Sequence, residues 1–319
     1  MARSHAAVAL ALLLCTTACY HVKKSLPGFS PLPSRGASTI SDPVIAAAGD
    51  IACEPGASDF NGGKGTGAGC RERDTAALLA KGGYTAILTL GDDQYDAGSL
   101  SDYRSVYGQT WGRFNDITYP VPGNHEYGTA RAAGYYAYFG ARAGDRTRGY
   151  YSFDIGAWHM VALNSNCGAI GGCGDGSPQV RWLREDLAAH RSECTLAYWH
   201  HPRFSSGIHG NNDTYDAFWR VLYGDGADVV LVGHDHNYER FAPQTPDARS
   251  DAGRGIREFV VGTGGRSVYP FLFARANSEV RHSGTFGILA LTLHPSGYDW
   301  RFVPVAGSSF TDSGSGSCH

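Results

Sequence analysis

Short apolar runs closed by glycine or a polar cluster recur along the chain, alternating with stretches whose apolar residues fall three or four apart. Val44 to Ala48 has no polar position and reads as a strand buried on both faces, running into Gly49-Asp50. Arg71 to Lys81, with Ala76-Ala-Leu-Leu79 at its centre, predicts a helix stopped by Gly82-Gly83. Thr85 to Leu90 is the next strand, ending in Gly91-Asp92-Asp-Gln-Tyr95, and the three elements form a βαβ unit. Tyr103, Val106, Tyr107 and Trp111 have helical spacing, so a helix is expected over Tyr103 to Phe114, its aromatic stripe serving packing rather than base stacking.

Farther along, Thr118 to Pro122 reads as a short strand, and Tyr150 to Phe153 and Trp158 to Asn164 as an antiparallel pair turning at Gly156. His159 sits inside the second of these and is expected to be a satisfied core residue rather than a ligand. Gln179 to His190 has an apolar face of Trp182, Leu183 and Leu187 and predicts a helix, as does Tyr215 to Leu222. Strands are expected at Thr195 to Trp199, Asp228 to Val232 and Glu258 to Val261. A hairpin of Gly287 to Leu293 and Tyr298 to Val305 turns at Pro295-Ser-Gly297. With no repeat and no compositional break, residues 43–305 read as one α/β domain, between a Pro/Ser-containing tether over 19–42 and a Ser/Gly-rich tail over 306–319.

Composition narrows the setting. Charged residues are 18% of the chain, glycine occurs 43 times, the net charge is −3 and no Lys/Arg cluster is present, which argues against a nucleic-acid partner. Arg3 and His5 precede Ala6 to Leu14, a run too short to span a bilayer but suited to a signal peptide over residues 1–18. Thr16-Thr-Ala-Cys19 leaves two routes open, ordinary cleavage after Ala18 or a lipidated Cys19 that tethers the protein to the membrane. Export is the expectation on either route. Beyond Cys15 and Cys19, six cysteines remain, an even number that suggests disulfides in an exported chain. Cys53 with Cys70 and Cys167 with Cys173 each close a glycine-rich loop, which leaves Cys194 for Cys318, one of fifteen possible pairings. A cysteine zinc site is the alternative, although the mature chain has no C-x-x-C.

Five segments share one grammar, a strand followed by polar residues able to hold a metal: Gly-Asp50, Gly-Asp92-Asp-Gln-Tyr95, Gly-Asn124-His125-Glu126, Trp-His200-His-Pro and Gly-His234-Asp-His236. Singly each has a bland reading, as Gly-Asn makes turns and His-Pro starts loops. All five lie at strand ends, where open α/β sheets bind ligands. Carboxylate, amide and imidazole together suit zinc, iron or manganese, with donors enough for two ions. Gly123 and Gly233 fit a backbone that must turn sharply to aim these side chains.

This set resembles the calcineurin-like metallophosphoesterases, and within them the purple-acid-phosphatase-like branch, from about Val44 to Val305. Most of that superfamily opens on Asp-x-His, whereas this chain has Asp50-Ile-Ala52; the purple acid phosphatases lack the histidine too and use the Tyr of Gly-Asp-x-x-Tyr, matched by Tyr95. Ala52 stands where the family often has glycine. The resemblance implies a four-layer αββα sandwich of two mixed β-sheets. It also implies a first metal on Asp50, Asp92, Tyr95 and His236, and a second on Asp92, Asn124, His200 and His234, with Asp92 bridging. His201 falls outside that ligand set, His125 matches the catalytic histidine near the leaving group, and His209 matches a second substrate-facing histidine by spacing. Iron would suit the Tyr95 site and zinc, manganese or iron the other. The implied activity is hydrolysis of small phosphomonoesters by in-line attack of a hydroxide held between the ions. Activity on small or cyclic diesters is the alternative, and an inactive surface-binding module is a third reading, set against the complete ligand set.

Overall fold

The computed structural model describes residues 41–319; the expected signal peptide, Cys15, Cys19 and nearly all of the expected tether lie outside the described residues. Among the described residues no helix is long and apolar enough to cross a membrane.

Thirteen strands form two sheets. β1 (Val44–Ala48), β2 (Ala86–Thr89) and β3 (Thr118–Pro120) run parallel at one side of the first sheet. On the other side of β1 it continues antiparallel through β11 (Gly287–His294), β12 (Gly297–Pro304) and β13 (Ser313–Ser317). The second sheet has a parallel centre of β5 (Trp158–Ala162), β6 (Cys194–Tyr198), β7 (Val229–Val232) and β9 (Arg257–Val261). It is edged by β4 (Tyr151–Ile155) at one side and by β8 (Tyr238–Phe241) and β10 (Ser278–His282) at the other. Helices α1 (Glu72–Gly82), α2 (Leu100–Ser105) and α3 (Ala133–Phe139) go with the first sheet, and α4 (Pro178–Ala189) and α5 (Asp216–Asp225) with the second.

Strand periodicity explains the layers. Along β5, β6 and β7 successive residues enter different cores: Trp158, Met160, Leu196, Tyr198, Val229 and Leu231 face the first sheet, while Val161, Ala197, Trp199, Val230 and Val232 meet α4 and α5. Both faces of this sheet are covered, which is why its strands read as unbroken apolar runs. The result is the expected αββα sandwich of mixed sheets. Helix ends also follow local chemistry: α1 stops at Gly83 in the left-handed conformation, and α4 starts with Ser177 accepting from the amide of Val180 ahead of Pro178.

Three details depart from the sequence reading. The helix expected over 103–114 is α2 followed by 3₁₀ turns at 107–109 and 111–117. The backbone leaves helical geometry at Val106 and Thr110, and the two glycines between and after them give room for close packing, since a Cβ at Gly112 would lie 2.2 Å from the Tyr138 hydroxyl and one at Gly108 3.0 Å from the Tyr103 carbonyl. Tyr103, Tyr107 and Trp111 are nevertheless buried, as packing residues. The stretch read as a tail supplies β13, whose Gly314 and Gly316 lie flat on Trp300 and Tyr298, where side chains would collide. Short α3, β8 and β10 had no expected counterpart.

Among the described residues the three disulfides pair as expected, Cys53–Cys70 and Cys167–Cys173 by loop spacing and Cys194–Cys318 by elimination. The last ties the end of the first sheet's edge strand to the start of β6 in the second, across 124 residues of chain. His159 is a core residue held by two acids, Asp154 at 2.8 Å and Asp186 at 2.9 Å.

Replacing both Cys194 and Cys318 with Ser is expected to lower unfolding stability by about 2–4 kcal/mol, read from denaturant midpoints under non-reducing conditions. An unchanged midpoint would show that the inter-sheet link is dispensable. Burial alone would lower the His159 pKa, but Asp186 and Asp154 hold it above the ordinary 6.5. Its protonated form therefore stabilises the fold fully below the unfolded value, and that contribution is lost as pH rises through the folded one. The melting-temperature gap between wild type and His159→Gln is expected to be widest below the ordinary imidazole value of 6.5 and to narrow as pH rises above it.

Candidate metal centre

The five strand-end segments converge where the two sheets meet. Asp50 follows β1, Asp92 and Tyr95 follow β2, Asn124 and His125 follow β3, His200 follows β6, and His234 and His236 follow β7. Parallel strands whose chain directions agree deliver all these loops to the same edge.

Two clusters of donor atoms result. In the first, the Tyr95 hydroxyl lies 2.9 Å from Asp50 Oδ1, 3.0 Å from Asp92 Oδ2 and 3.1 Å from His236 Nε2. His236 Nε2 is also 3.1 Å from Asp50 Oδ1. In the second, His200 Nε2 lies 3.1 Å from Asp92 Oδ2, 3.2 Å from Asn124 Oδ1 and 3.2 Å from His234 Nδ1. Asp92 Oδ2 belongs to both. Spacings near 3 Å among mixed O and N donors are what bonds of about 2 Å to a common ion require. The donor set fits two metal ions, and the two sets of four are those the family resemblance implies.

The carboxylates also build the frame. Asp50 Oδ2 accepts the amide of His234 at 2.8 Å, and Asp92 Oδ1 accepts the amide of His125 at 2.8 Å. Each acid therefore offers one oxygen to the clusters and uses the other to fix a neighbouring loop. Buried Glu126 braces the same loops: Oε2 accepts the amides of Asp92 and Gly123, and Oε1 those of Asp93 and Gln94 with the Tyr103 hydroxyl. His200 Nδ1 is fixed by the Leu90 carbonyl and His236 Nδ1 by the Ser267 hydroxyl, so each presents Nε2 to its cluster.

Backbone conformation refines the reading of the glycines. Asp50, Asp92 and His234 themselves carry positive φ, at 60°, 50° and 69°. Gly123 and Gly233 do not; they are needed for room, as a Cβ would come within 2.1 Å of Asp92 Oδ1 at the first and 2.7 Å of Asp50 Oδ2 at the second. The sharp turn expected at those two glycines is thus made by the ligands, a strained arrangement characteristic of functional sites.

Charge is arranged for cations. Burial would raise Asp92, but His200 and then His125 hold it ionised, far below its usual range. Burial, followed by the neighbouring His200 and His201, pushes His234 far down, which leaves its imidazole neutral with a lone pair to donate. Five of the donors are buried, whereas Asn124 is exposed and marks the open side of the second cluster.

Three more histidines surround the centre. His125 lies with its ring 4.2 Å from that of Tyr95, Nδ1 on the Asp96 carbonyl and Nε2 3.9 Å from Asp92 Oδ2. His209 stacks on His234 at 4.0 Å and is held through Nδ1 by Asp235 at 2.8 Å. His201 comes within 4.4 Å of the His234 ring, with Nδ1 at 2.8 Å from the Ser165 hydroxyl. Glu126 and Asp235, which position ligand loops and His209, received no role from the sequence. Their signal was present, as each is an acid set directly beside histidines inside a strand-end motif.

Comparison with known proteins gives the family and the fold. The family model for calcineurin-like phosphoesterases matches residues 43–238. Purple acid phosphatase 15 of Arabidopsis thaliana is 30% identical over 204 residues, covering 52% of this chain and 38% of that protein. Purple acid phosphatase 23 of the same plant is 31% identical over 150 residues, covering 41% and 32%. Among solved structures, purple acid phosphatase PPD1 from yellow lupin superposes with a TM-score of 0.70 at 18% identity, over 87% of this chain and 54% of that one. The chain thus matches well under two thirds of the length of each of these proteins.

Asp92→Ala is expected to deplete bound metal more than Asp50→Ala or Asn124→Ala, measured by elemental analysis of each purified protein. Equal depletion in all three would remove Asp92 from the shared position.

Proposed function

The chain belongs to the calcineurin-like phosphoesterase family, and we propose that it is an exported phosphatase that uses two metal ions to hydrolyse small phosphomonoesters. The observation that carries this reading is Asp92 Oδ2, within 3.0 Å of the Tyr95 hydroxyl and 3.1 Å of His200 Nε2, at the junction of two four-donor clusters. Two bound cations would polarise the phosphoryl oxygens and make water acidic enough to attack near neutral pH. The phenol of Tyr95 favours ferric iron at the first position, with zinc, manganese or iron at the second.

The surrounding side chains divide the remaining work. A water oxygen bonds to phosphorus as the ester P–O bond opposite it breaks, and the departing alkoxide needs a proton. His125 supplies it: Nδ1 is engaged by the Asp96 carbonyl, which fixes the ring with Nε2 toward the centre. His209, held by Asp235 against the His234 ring, meets a phosphoryl oxygen with its other nitrogen. Asp50 and Asp92 keep the loops from moving as charge develops, since their second oxygens are bound to backbone amides. Export is supported by three disulfides, which suit an oxidising compartment, together with the signal-like N-terminus. Lipidation of Cys19 would keep the protein at the membrane surface.

His125→Ala is expected to reduce kcat by roughly 10²- to 10⁴-fold, with a larger loss on an alkyl phosphate than on p-nitrophenyl phosphate, whose leaving group needs no proton. Equal losses on both would remove the acid role. The metal-loaded wild type is expected to turn over phosphomonoesters faster than diesters, and the reverse order would make it a phosphodiesterase. A visible absorption band lost in Tyr95→Phe would place ferric iron beside that phenol.

A further inference from the structure

A cleft of about 500 Å³ is lined by Tyr127, Arg131, Arg146, Thr147, Ala169 and Ile170. Two of its walls are tied to segments that carry residues of the metal centre. Tyr127 follows Asn124 and His125 in the loop after β3, and its hydroxyl accepts from Asn164 Nδ2 at 2.8 Å. Asn164 precedes Ser165, whose hydroxyl meets His201 beside His234. Asn166 ties the same segment to the Pro122 carbonyl at 3.1 Å, and the Cys167–Cys173 disulfide closes the loop that carries Ala169 and Ile170.

Its charge is one-sided. Arg131 and Arg146 are exposed, and among the described residues neither has an ion-pair or hydrogen-bond partner for its guanidinium. Asp145, the acid beside Arg146, is occupied by Thr147 at 2.8 Å and 2.7 Å and by Arg148 at 3.7 Å. The backbone at Arg131 and Ala132 is left-handed, with φ of 55° and 51°, at two successive residues that are not glycine. That conformation is unfavourable for both and persists where the surroundings hold it. Two planar guanidiniums facing one hollow suit a phosphate, which they can grip through paired N–H donors. The Tyr127 ring and Ile170 offer an apolar surface to the carbon skeleton between two phosphates.

We propose that this cleft is a substrate subsite for a second phosphoryl group, so that the preferred substrates are small molecules carrying at least two phosphates, one over the metal centre and one between Arg131 and Arg146. This extends the phosphatase reading and depends on it. The test compares a hexose bisphosphate with the matching hexose monophosphate, in the metal-loaded wild type and in Arg131→Ala/Arg146→Ala. The wild type is expected to favour the bisphosphate in kcat/KM by about tenfold or more, and the double variant to lose most of that preference. No preference in the wild type, or one that survives in the variant, overturns the subsite while leaving the phosphatase reading intact. Turnover of neither ester fails the phosphatase reading instead. Calorimetric titration of the bisphosphate then decides the subsite alone, with tighter binding to wild type supporting it and equal binding overturning it.

Discussion

Sharing of one carboxylate between two donor clusters sets the terms for the rest of the molecule. Asp92 is buried and ionised, its Oδ2 in both clusters and its Oδ1 on the amide of His125. A buried charge is tolerated only where opposite charge and hydrogen bonds compensate it. The surrounding residues meet that demand with imidazoles on one side and the backbone amide of His125 on the other. Asp50 repeats the plan, one oxygen toward Tyr95 and His236 and the other on the amide of His234. Each acid therefore serves donor cluster and scaffold with different oxygens, and a change at either disturbs both.

Such a centre needs a stiff foundation, because left-handed backbone at Asp50, Asp92 and His234 is unfavourable and must be held in place. Two sheets packed through a continuous core supply it, with Trp158, Leu196 and Leu231 of one sheet in the same cluster as Ile45, Leu88 and Leu289 of the other. Glu126 carries that stiffness into the loops by binding four amides and the Tyr103 hydroxyl; burial, then the charge of Asp92, pushes it up to about 7. The Cys194–Cys318 link joins the two sheets at a different place, away from the ligand loops.

The surroundings of the centre assign different tasks to its histidines. His200 and His236 have one nitrogen fixed by the protein and the other in a cluster, as metal ligands do. His125, His201 and His209 are fixed by the Asp96 carbonyl, the Ser165 hydroxyl and Asp235, outside the two four-donor sets. His159 lies in β5 between two acids and serves the core. Identical side chains thus take different places, in a donor cluster, beside it or in the core, according to what engages their second nitrogen.

Much of this was legible in the chain itself. Local sequence determined the buried strands and the glycine stop of α1, and it singled out the candidate metal donors, because strand period, glycine stops and donor chemistry are properties of neighbouring residues. It also suggested the two short disulfides, whose partners lie close along the chain, and by elimination the long one. Tertiary structure decided the rest. Only folding showed that Ser313 to Ser317 is a strand, since its register comes from β12 and its glycines are chosen by Trp300 and Tyr298. Gly112 is a glycine because Tyr138, a residue on another helix, leaves no room for a side chain. Glu126 and Asp235 took their places from groups distant in sequence, and only folding set Arg131 and Arg146 on one cleft. The reason is physical: periodicity and turn chemistry act over a few residues, whereas the partner of a buried charge is fixed only when separate strands are brought side by side.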